Sequence, residues 1–486
     1  MIELPSERRV SGHRLATLLG AWHRPGPAYT ALADALRAAV LSGTVPLRSR
    51  VPSERELADA LGVSRTTTTA AYDALRDEGY LVSRRGSGTV TTVPEHHATV
   101  APSGTSVLPD DEAVVDLSIA APDAPTALHG AVVAALDALP RHLASTGYSP
   151  TGLPELRRAI AERYTARGVP TTPEQILVTT GGQQAIHLLV AAHAGPGDRV
   201  LVEQPTYPHA LDAVRAAGAR PVPVPSGRDG LDLDLFESTL RQTAPRLAYL
   251  IPDHRNPNGT SLDAAAREQV RALARRHRTL VVGDEALTDL TLEGAAPPPF
   301  AGDGSAAGLV VCVGSASKSF WGGLRVGWLR AHPDVVVRLA AARAHVDIGT
   351  SVLDQLVVVE LLADEEAVLT ERRRVLRARR DLLHALVSER LPAWDVPVPP
   401  GGLALWADLG APVSSALAAI ALRHGVRVAP GPTFGTDASL ERFVRLPYTS
   451  TPDRLERAVD GLGRAWSALG LDTGAASPLD AERLVV

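Results

Sequence analysis

The sequence predicts two folded parts: a small helical head closed by a β-hairpin, and an α/β body built on a mostly parallel sheet. Three observations predict it. Two short capped helices and a Gly-rich hairpin fill the stretch up to about residue 93. Residues 94–114 (PEHHATVAPSGTSVLPDDEAV) are rich in Pro, Ser, Thr and acid and have no apolar periodicity. From 115 to 470, apolar strand-like runs alternate with helical patterns.

The head spans 14–93 in this reading. Tyr29, Leu32, Leu36 and Val40 recur at helical spacing and define one amphipathic helix. Ser53-Glu-Arg-Glu56 has the form of a capping box, in which Ser53 and Glu56 satisfy each other's helix-end donors. The helix it opens carries Leu57, Ala58 and Leu61 inward and stops at Gly62; Ser64 then caps a second helix through Tyr72 and Leu75. Two short helices about a tight Gly turn form a helix-turn-helix pattern. Tyr80-Leu-Val-Ser-Arg-Arg-Gly-Ser-Gly-Thr-Val90 then supplies two strands about a tight turn, a wing.

Arg65, Thr66, Thr67 and Thr68 open the second helix, the end that enters a major groove in such motifs. Arg reads guanine edges bidentately, and Thr meets phosphate or a thymine methyl. Arg50, Ser53, Arg55 and Ser64, with Arg84, Arg85, Gly86 and Ser87 of the wing, complete the candidate DNA contacts. Charge agrees, since residues 1–93 sum to +3 and the remainder to −8. Residues 52–90 (PSERELADALGVSRTTTTAAYDALRDEGYLVSRRGSGTV) resemble the GntR-type winged-helix domain, which implies double-stranded operator DNA as a partner. The stretch 94–114 reads as a linker, able to span roughly 70 Å when extended, and 471–486 as a tail.

In the body, five strand-like runs each end in polar residues. Ile176–Thr179 leads into Thr180-Gly-Gly-Gln-Gln184 and a helix; a Gly turn at a helix N-terminus directs free N–H groups at an anion. Val200–Glu203 leads to Tyr207, Leu247–Ile251 to Asp-His-Arg-Asn256-Pro-Asn-Gly259, Leu280–Gly283 to Asp284, and Leu309–Val313 to Gly-Ser-Ala-Ser-Lys318. Ligands of open α/β sheets sit outside the carboxyl ends of the strands, where these residues collect. Lys318 is the only lysine among 49 basic side chains; the rest are Arg. A Schiff base needs an amine that can lose its proton, which guanidinium does not do near neutral pH.

This set, in this order, resembles the fold-type I pyridoxal 5′-phosphate (PLP) enzymes, the aspartate aminotransferase superfamily. The resemblance implies a Schiff base between PLP and Lys318, with Asp284 on the pyridine nitrogen. It gives the phosphate to Ser315, Arg325 and the backbone of Gly181, Gly182 and Gln183, and places Ser317 among the cofactor-binding residues. Tyr207 stacks on the ring and Asn256 bonds its hydroxyl. Arg445, in Phe-Val-Arg-Leu-Pro, becomes the clamp for a ligand carboxylate. Tyr148, in Tyr-Ser-Pro-Thr-Gly-Leu-Pro, reaches the neighbouring subunit's phosphate, which implies a homodimer.

A GntR-type head on such a body is the domain order of the MocR family of regulators. The seven-residue step from Lys318 to Arg325 and Pro252-Asp-His254 are also similar to that family. The resemblance implies a transcriptional regulator that senses an amino compound, or PLP itself, at Lys318. The alternative is a working aminotransferase with an accessory head. One departure matters: aminotransferases place a tyrosine two or three residues after the pyridine-binding aspartate, and here Ala286 and Leu287 stand there. That departure favours sensing over turnover, with at most weak transaminase half-reactions.

Composition narrows the rest. Hydrophobic content of 45% and charged content of 21% describe an ordinary globular protein. No apolar run approaches the roughly 20 residues of a spanning helix. The charged opening MIELPSERRVSGHR lacks a secretory h-region. The single Cys312 excludes an internal disulfide and a cysteine-built metal site, so no metal is expected and a cytoplasmic protein is.

Overall fold

Contacts divide the chain into two units, Met1–Pro109 and Asp110–Val486. The computed structural model describes residues 10–20, 22, 23, 26–41, 44, 45, 49–84, 88–92, 114–228, 230–302, 308–437 and 439–470.

The first unit holds α1 (Gly12–Leu19), α2 (Ala28–Leu41), α3 (Glu54–Leu61) and α4 (Arg65–Asp77), then β1 (Leu81–Arg84) and β2 (Gly88–Thr91). Leu15, Leu32, Leu36, Val40, Leu57, Tyr72 and Leu75 form one core, so each helix turns an apolar stripe inward. Two readings change. Tyr29 is 43% exposed and stands off the stripe it was assigned to. The capping box is half made: Ser53 accepts from the Glu56 amide at 3.2 Å, but the Glu56 carboxylate turns away to accept from the Gly12 amide at 3.0 Å. Glu56 thus caps α1, a helix the sequence pattern did not reveal, and ties it to α3. α3 ends on Gly62 at φ 66°, the left-handed conformation glycine adopts without strain.

The second unit carries two sheets. Its strands are β3 (Val115–Leu117), β4 (Ile176–Thr179), β5 (Arg199–Gln204), β6 (Arg220–Gly227), β7 (Gly230–Leu231), β8 (Leu247–Leu250), β9 (Leu280–Asp284), β10 (Val310–Ser315), β11 (Gly327–Arg330), β12 (Ala404–Asp408), β13 (Val426–Pro430) and β14 (Phe443–Pro447). The larger sheet runs β4-β11-β10-β9-β8-β5-β6-β7. Its centre from β10 to β6 is parallel, and β11 lies antiparallel between β4 and β10. Side chains alternate between two cores: Val178, Leu201, Ala248, Val281 and Cys312 face one, and Leu177, Val200, Tyr249, Val282 and Val311 the other. Burial on both faces is why these strands read as unbroken apolar runs.

The body is not one layer throughout. β12-β14-β13-β3 form a smaller sheet whose core includes Leu405, Val428 and Leu446, covered by the Pro452–Ala468 helix. β3, the first strand after the linker, pairs in parallel with β13 through Val115↔Val426 and Leu117↔Val428. No described helix is long and apolar enough to cross a membrane.

Candidate functional site

The parallel strands end along one line, and the loops beyond them assemble the pocket. β4 ends at Thr179; Gly181, at φ 79°, turns the chain, and Gly182 opens the Gly182–His193 helix, whose first N–H groups have no partner within the helix. A side chain at Gly181 is strained by the positive φ and crowds Arg325, and one at Gly327 runs into the backbone of the turn. A Cβ at Gly181 would meet Arg325 Nη2 at 2.6 Å, and one at Gly327 would meet the Gly182 nitrogen at 2.5 Å. Arg325 itself donates to the Thr180 carbonyl at 3.3 Å. Ser315 ends β10, two strands from β4 across β11, and Ser317 lies in the short helix that follows; the Ser317 amide donates to Ser315 Oγ at 3.2 Å. Amides, two hydroxyls and a guanidinium around one turn make a donor set suited to a phosphate. The Gln183 side chain donates to the His209 carbonyl at 3.0 Å, which leaves its backbone to the turn.

A second tier holds this turn. Arg343, fully buried, donates to the Val178 carbonyl at 2.6 Å and pairs with Asp347 at 2.6 Å. Asp347 in turn accepts from Thr180 Oγ1 at 2.9 Å and Gln184 Nε2 at 2.6 Å. Glu203 of β5 and Arg255, in the loop beyond β8, form a buried ion pair of 2.5 Å beside Asn256. None of these supports was legible in the sequence. An arginine inside a helix, or before a turn, has no periodic mark of burial.

Lys318 follows β10 in the short helix Ala316–Ser319. Burial, then the charges of Arg445 and Arg325, lower its pKa to about 8, with Asp284 acting in the opposite sense. Nζ donates to the Ala120 carbonyl at 2.7 Å. Asp284, 8% exposed, accepts from the Tyr249 hydroxyl at 2.6 Å and the Ala286 amide at 3.0 Å. Burial raises its pKa against those bonds and the Lys318 charge. Tyr207 caps the helix after β5; burial, then Asp284, pushes its phenol up, opposed by Arg445 and Arg325. Asp284, Lys318, Tyr207, Arg325 and Arg445 therefore act on one another across one pocket.

Arg445 lies on β14 of the smaller sheet and is 6% exposed. It donates to Asn256 Oδ1 at 3.0 Å and to the Ser118 carbonyl, stacks 4.7 Å above the Phe434 ring centre, and leaves Nε without a partner. No carboxylate pairs with it among the described residues. Burial depresses its pKa to about 10, so it stays charged at neutral pH. A buried guanidinium without a counter-charge costs several kcal/mol, about the penalty that an anionic ligand relieves. The structure thus fits PLP on three counts: a turn closed by glycines at 181 and 327, an amine of lowered pKa, and a buried carboxylate whose charge acts on that amine. Ala286 and Leu287 bring no hydroxyl; Leu287 is packed in the smaller core. Tyr148 does not enter this pocket and is 72% exposed.

The amine must be neutral to bond a carbonyl carbon. With a pKa of about 8, roughly a tenth of Lys318 is neutral at pH 7. The rate of covalent PLP attachment to apoprotein is expected to climb with pH and level off above about 8. A rate still climbing near pH 10 would show an ordinary lysine.

On the head, Ser64 accepts from the Thr67 amide at 3.1 Å, and Ser53 and Ser64 are exposed helix caps. Arg55, Arg65 and Thr66 are exposed, and Thr67 is half-buried. Arg50 lies along the wing, where a Cβ at Gly88 would sit 2.5 Å from its Nε. Thr68 requires correction. It is fully buried, and its hydroxyl donates to the Glu54 and Arg65 carbonyls at 2.9 Å each, locking α4 to the start of α3. It cannot face DNA. The Arg84 side chain and Arg85, Gly86 and Ser87 lie outside the described residues.

The family model for aminotransferase class I and II matches residues 112–462, and that for bacterial regulatory proteins of the gntR family matches 28–90. The chain is 36% identical to a 2-aminoadipate transaminase of Thermus thermophilus over 66% of this chain and 82% of that protein. It is 30% identical to the probable rhizopine catabolism regulatory protein MocR of Rhizobium meliloti over 76% and 78% of the two chains. Among solved structures it resembles the α-aminoadipate aminotransferase LysN of Thermus thermophilus, complexed with N-(5′-phosphopyridoxyl)-L-leucine. That match has a TM-score of 0.67 and 31% identity, covering 74% of this chain and 93% of the other.

Proposed function

Because the chain belongs to the class I and II aminotransferases, and joins that domain to a GntR-type DNA-binding head as MocR-type regulators do, we propose that its PLP site is a sensor of amino acids. The cofactor is pyridoxal 5′-phosphate, in keeping with the family and with the phosphopyridoxyl ligand of the LysN structure. PLP supplies an electrophilic carbonyl that an incoming amine can take in place of a lysine. In this reading Lys318 holds the cofactor covalently and Asp284 holds its ring nitrogen. Ser315, Ser317, Arg325 and the Gly181–Gln183 amides bind the phosphate, Tyr207 covers the ring, and Asn256 faces its hydroxyl. Arg445 selects a ligand that carries a carboxylate.

The observation that carries this reading is Arg445, buried and unpaired on the smaller sheet while Lys318 stands on the larger. A ligand with an amine and a carboxylate engages both, and so favours one arrangement of the two layers. Such a ligand changes DNA binding only through unequal affinity for two arrangements; a hundredfold preference is worth about 2.7 kcal/mol. PLP itself, by presence or absence, is the second candidate effector.

A homodimer in the cytoplasm completes the reading. Tyr148 at 72% exposure, Leu143 at 71%, and Leu136 and Val133 on one face of the Leu128–Ala138 helix leave apolar surface near the segment assigned to a neighbouring phosphate. DNA as partner gives the compartment. The experiment is operator binding by PLP-loaded protein titrated with amino acids and with amines that lack a carboxylate. A shift with amino acids alone supports the sensor. Rapid multiple-turnover transamination without operator binding would replace it with an enzyme.

The head yields its own prediction. Arg65→Ala should weaken specific operator binding by about 1–3 kcal/mol if Arg65 reads a base. Unchanged affinity and sequence preference, measured by anisotropy, would show that it faces elsewhere.

A further inference from the structure

Burial works against the charge that Asp284 must carry. Taking a carboxylate out of water favours its neutral form, and this side chain is 8% exposed at the end of β9. An ionised carboxylate offers about four acceptor sites. The chain fills one on each oxygen. The Ala286 amide donates to Oδ1 at 3.0 Å, a bond local to the turn, and the Tyr249 hydroxyl donates to Oδ2 at 2.6 Å. The second bond is the shorter, is charge-assisted, and comes from another strand. Tyr249 pairs with Val282 across β8 and β9, which sets its ring two residues short of Asp284 on the neighbouring strand. It is 1% exposed. Burial, then the Asp284 charge, holds the phenol well above its ordinary pKa, so it remains a donor at every working pH.

The other groups around this carboxylate do not substitute for the phenol. Lys318 lowers the Asp284 pKa by charge alone, Tyr207 is a buried phenol within electrostatic reach, and Arg445 and Arg325 act on those two. None of the four hydrogen-bonds to Asp284 among the described residues. Ala286 and Leu287, which follow Asp284 and Glu285, supply no hydroxyl.

We propose that Tyr249 is a positioning residue that decides on which side of the contact between Asp284 and the cofactor's ring nitrogen the proton rests. The inference builds on the assignment of PLP to the Lys318 pocket. With the phenol donating, Asp284 has little appetite for a proton and the nitrogen keeps it. Without the phenol, buried Asp284 draws the proton to its own oxygen, and the ring loses the positive charge that makes it an electron sink.

The test loads the full chain with PLP labelled with ¹⁵N in the ring and reads the nitrogen shift between about pH 6 and 9, a window around neutrality in which Tyr249 stays protonated. Wild type is expected at the pyridinium position throughout. Tyr249→Phe should move most of the way toward the neutral-pyridine position and bind PLP roughly tenfold more weakly, the size of one charge-assisted bond. In an Asp284→Asn background, Tyr249→Phe should add nothing, because it acts through the carboxylate. An unmoved shift in Tyr249→Phe, or a further loss of equal size in Asp284→Asn, overturns the proposal.

Should Tyr249→Phe fail to fold, the hydroxyl proton of wild type is read instead. It should resonate far downfield and move upfield in Asp284→Asn; indifference to Asp284→Asn overturns the idea equally. A wild-type protein that acquires no visible cofactor band would refute the pocket's assignment rather than the role of Tyr249.

Discussion

Lys318→Ala, supplied with PLP and dialysed, is expected to be colourless and folded, with operator affinity that no longer answers to amino acids. The effect should be close to total, because no other side chain can take the role. Lys318 is the one lysine of the chain, and the other 48 basic residues are arginines that do not form a Schiff base near neutral pH. The phosphate donors at Gly181, Ser315 and Arg325 remain, so residual, non-covalent PLP binding on the order of a hundredfold weaker is expected, about 2.7 kcal/mol. Borohydride reduction of wild type followed by peptide mass spectrometry should place the cofactor's mass on residue 318. A reduced adduct on the N-terminal amine, or a coloured Lys318→Ala protein, would remove the basis of the sensor.

Arg445→Gln should be nearly as consequential, yet leave the colour intact. Its glutamine keeps part of the polarity and loses the charge. Truncating one partner of a buried charge pair costs about 2–5 kcal/mol, so the operator response should need roughly a hundredfold more amino acid. Amines without a carboxylate should change the cofactor spectrum of wild type and Arg445→Gln alike and move the operator response of neither. The discriminating measurement is the ratio of the two ligand classes, read from spectral titrations. An unchanged ratio would show that Arg445 serves the fold alone.

Much of this was written locally. Strand runs, the Gly181–Gly182 turn, Asp284 and Lys318 are each marked by neighbours within a few residues, which is why a sheet with a ligand at its carboxyl ends could be read from the chain. What escaped depends on distant partners. β3 pairs with a strand some three hundred residues on, and that pairing places Ser118 and Ala120 against Arg445 and Lys318. Tyr249 sits in an apolar run and looks like core until β9 is laid beside it. Arg343 and Asp347 carry no pattern that separates them from solvated helix charges. In the head, Ser53 and Glu56 matched a local motif, but the amide of Gly12, forty-four residues earlier, took the glutamate. Thr68 belonged to the right helix end and the wrong face.

The central claim is that one ligand, held at Lys318 and Arg445, changes how tightly the winged helix holds DNA. It is tested most directly by anisotropy of PLP-loaded full-length protein on an operator selected from random sequence, with and without saturating amino acid. The account predicts a shift in Kd of tenfold or more in wild type, about 1.4 kcal/mol, and none in Lys318→Ala. An amino acid that converts the cofactor spectrum completely while the operator Kd stays put would contradict it.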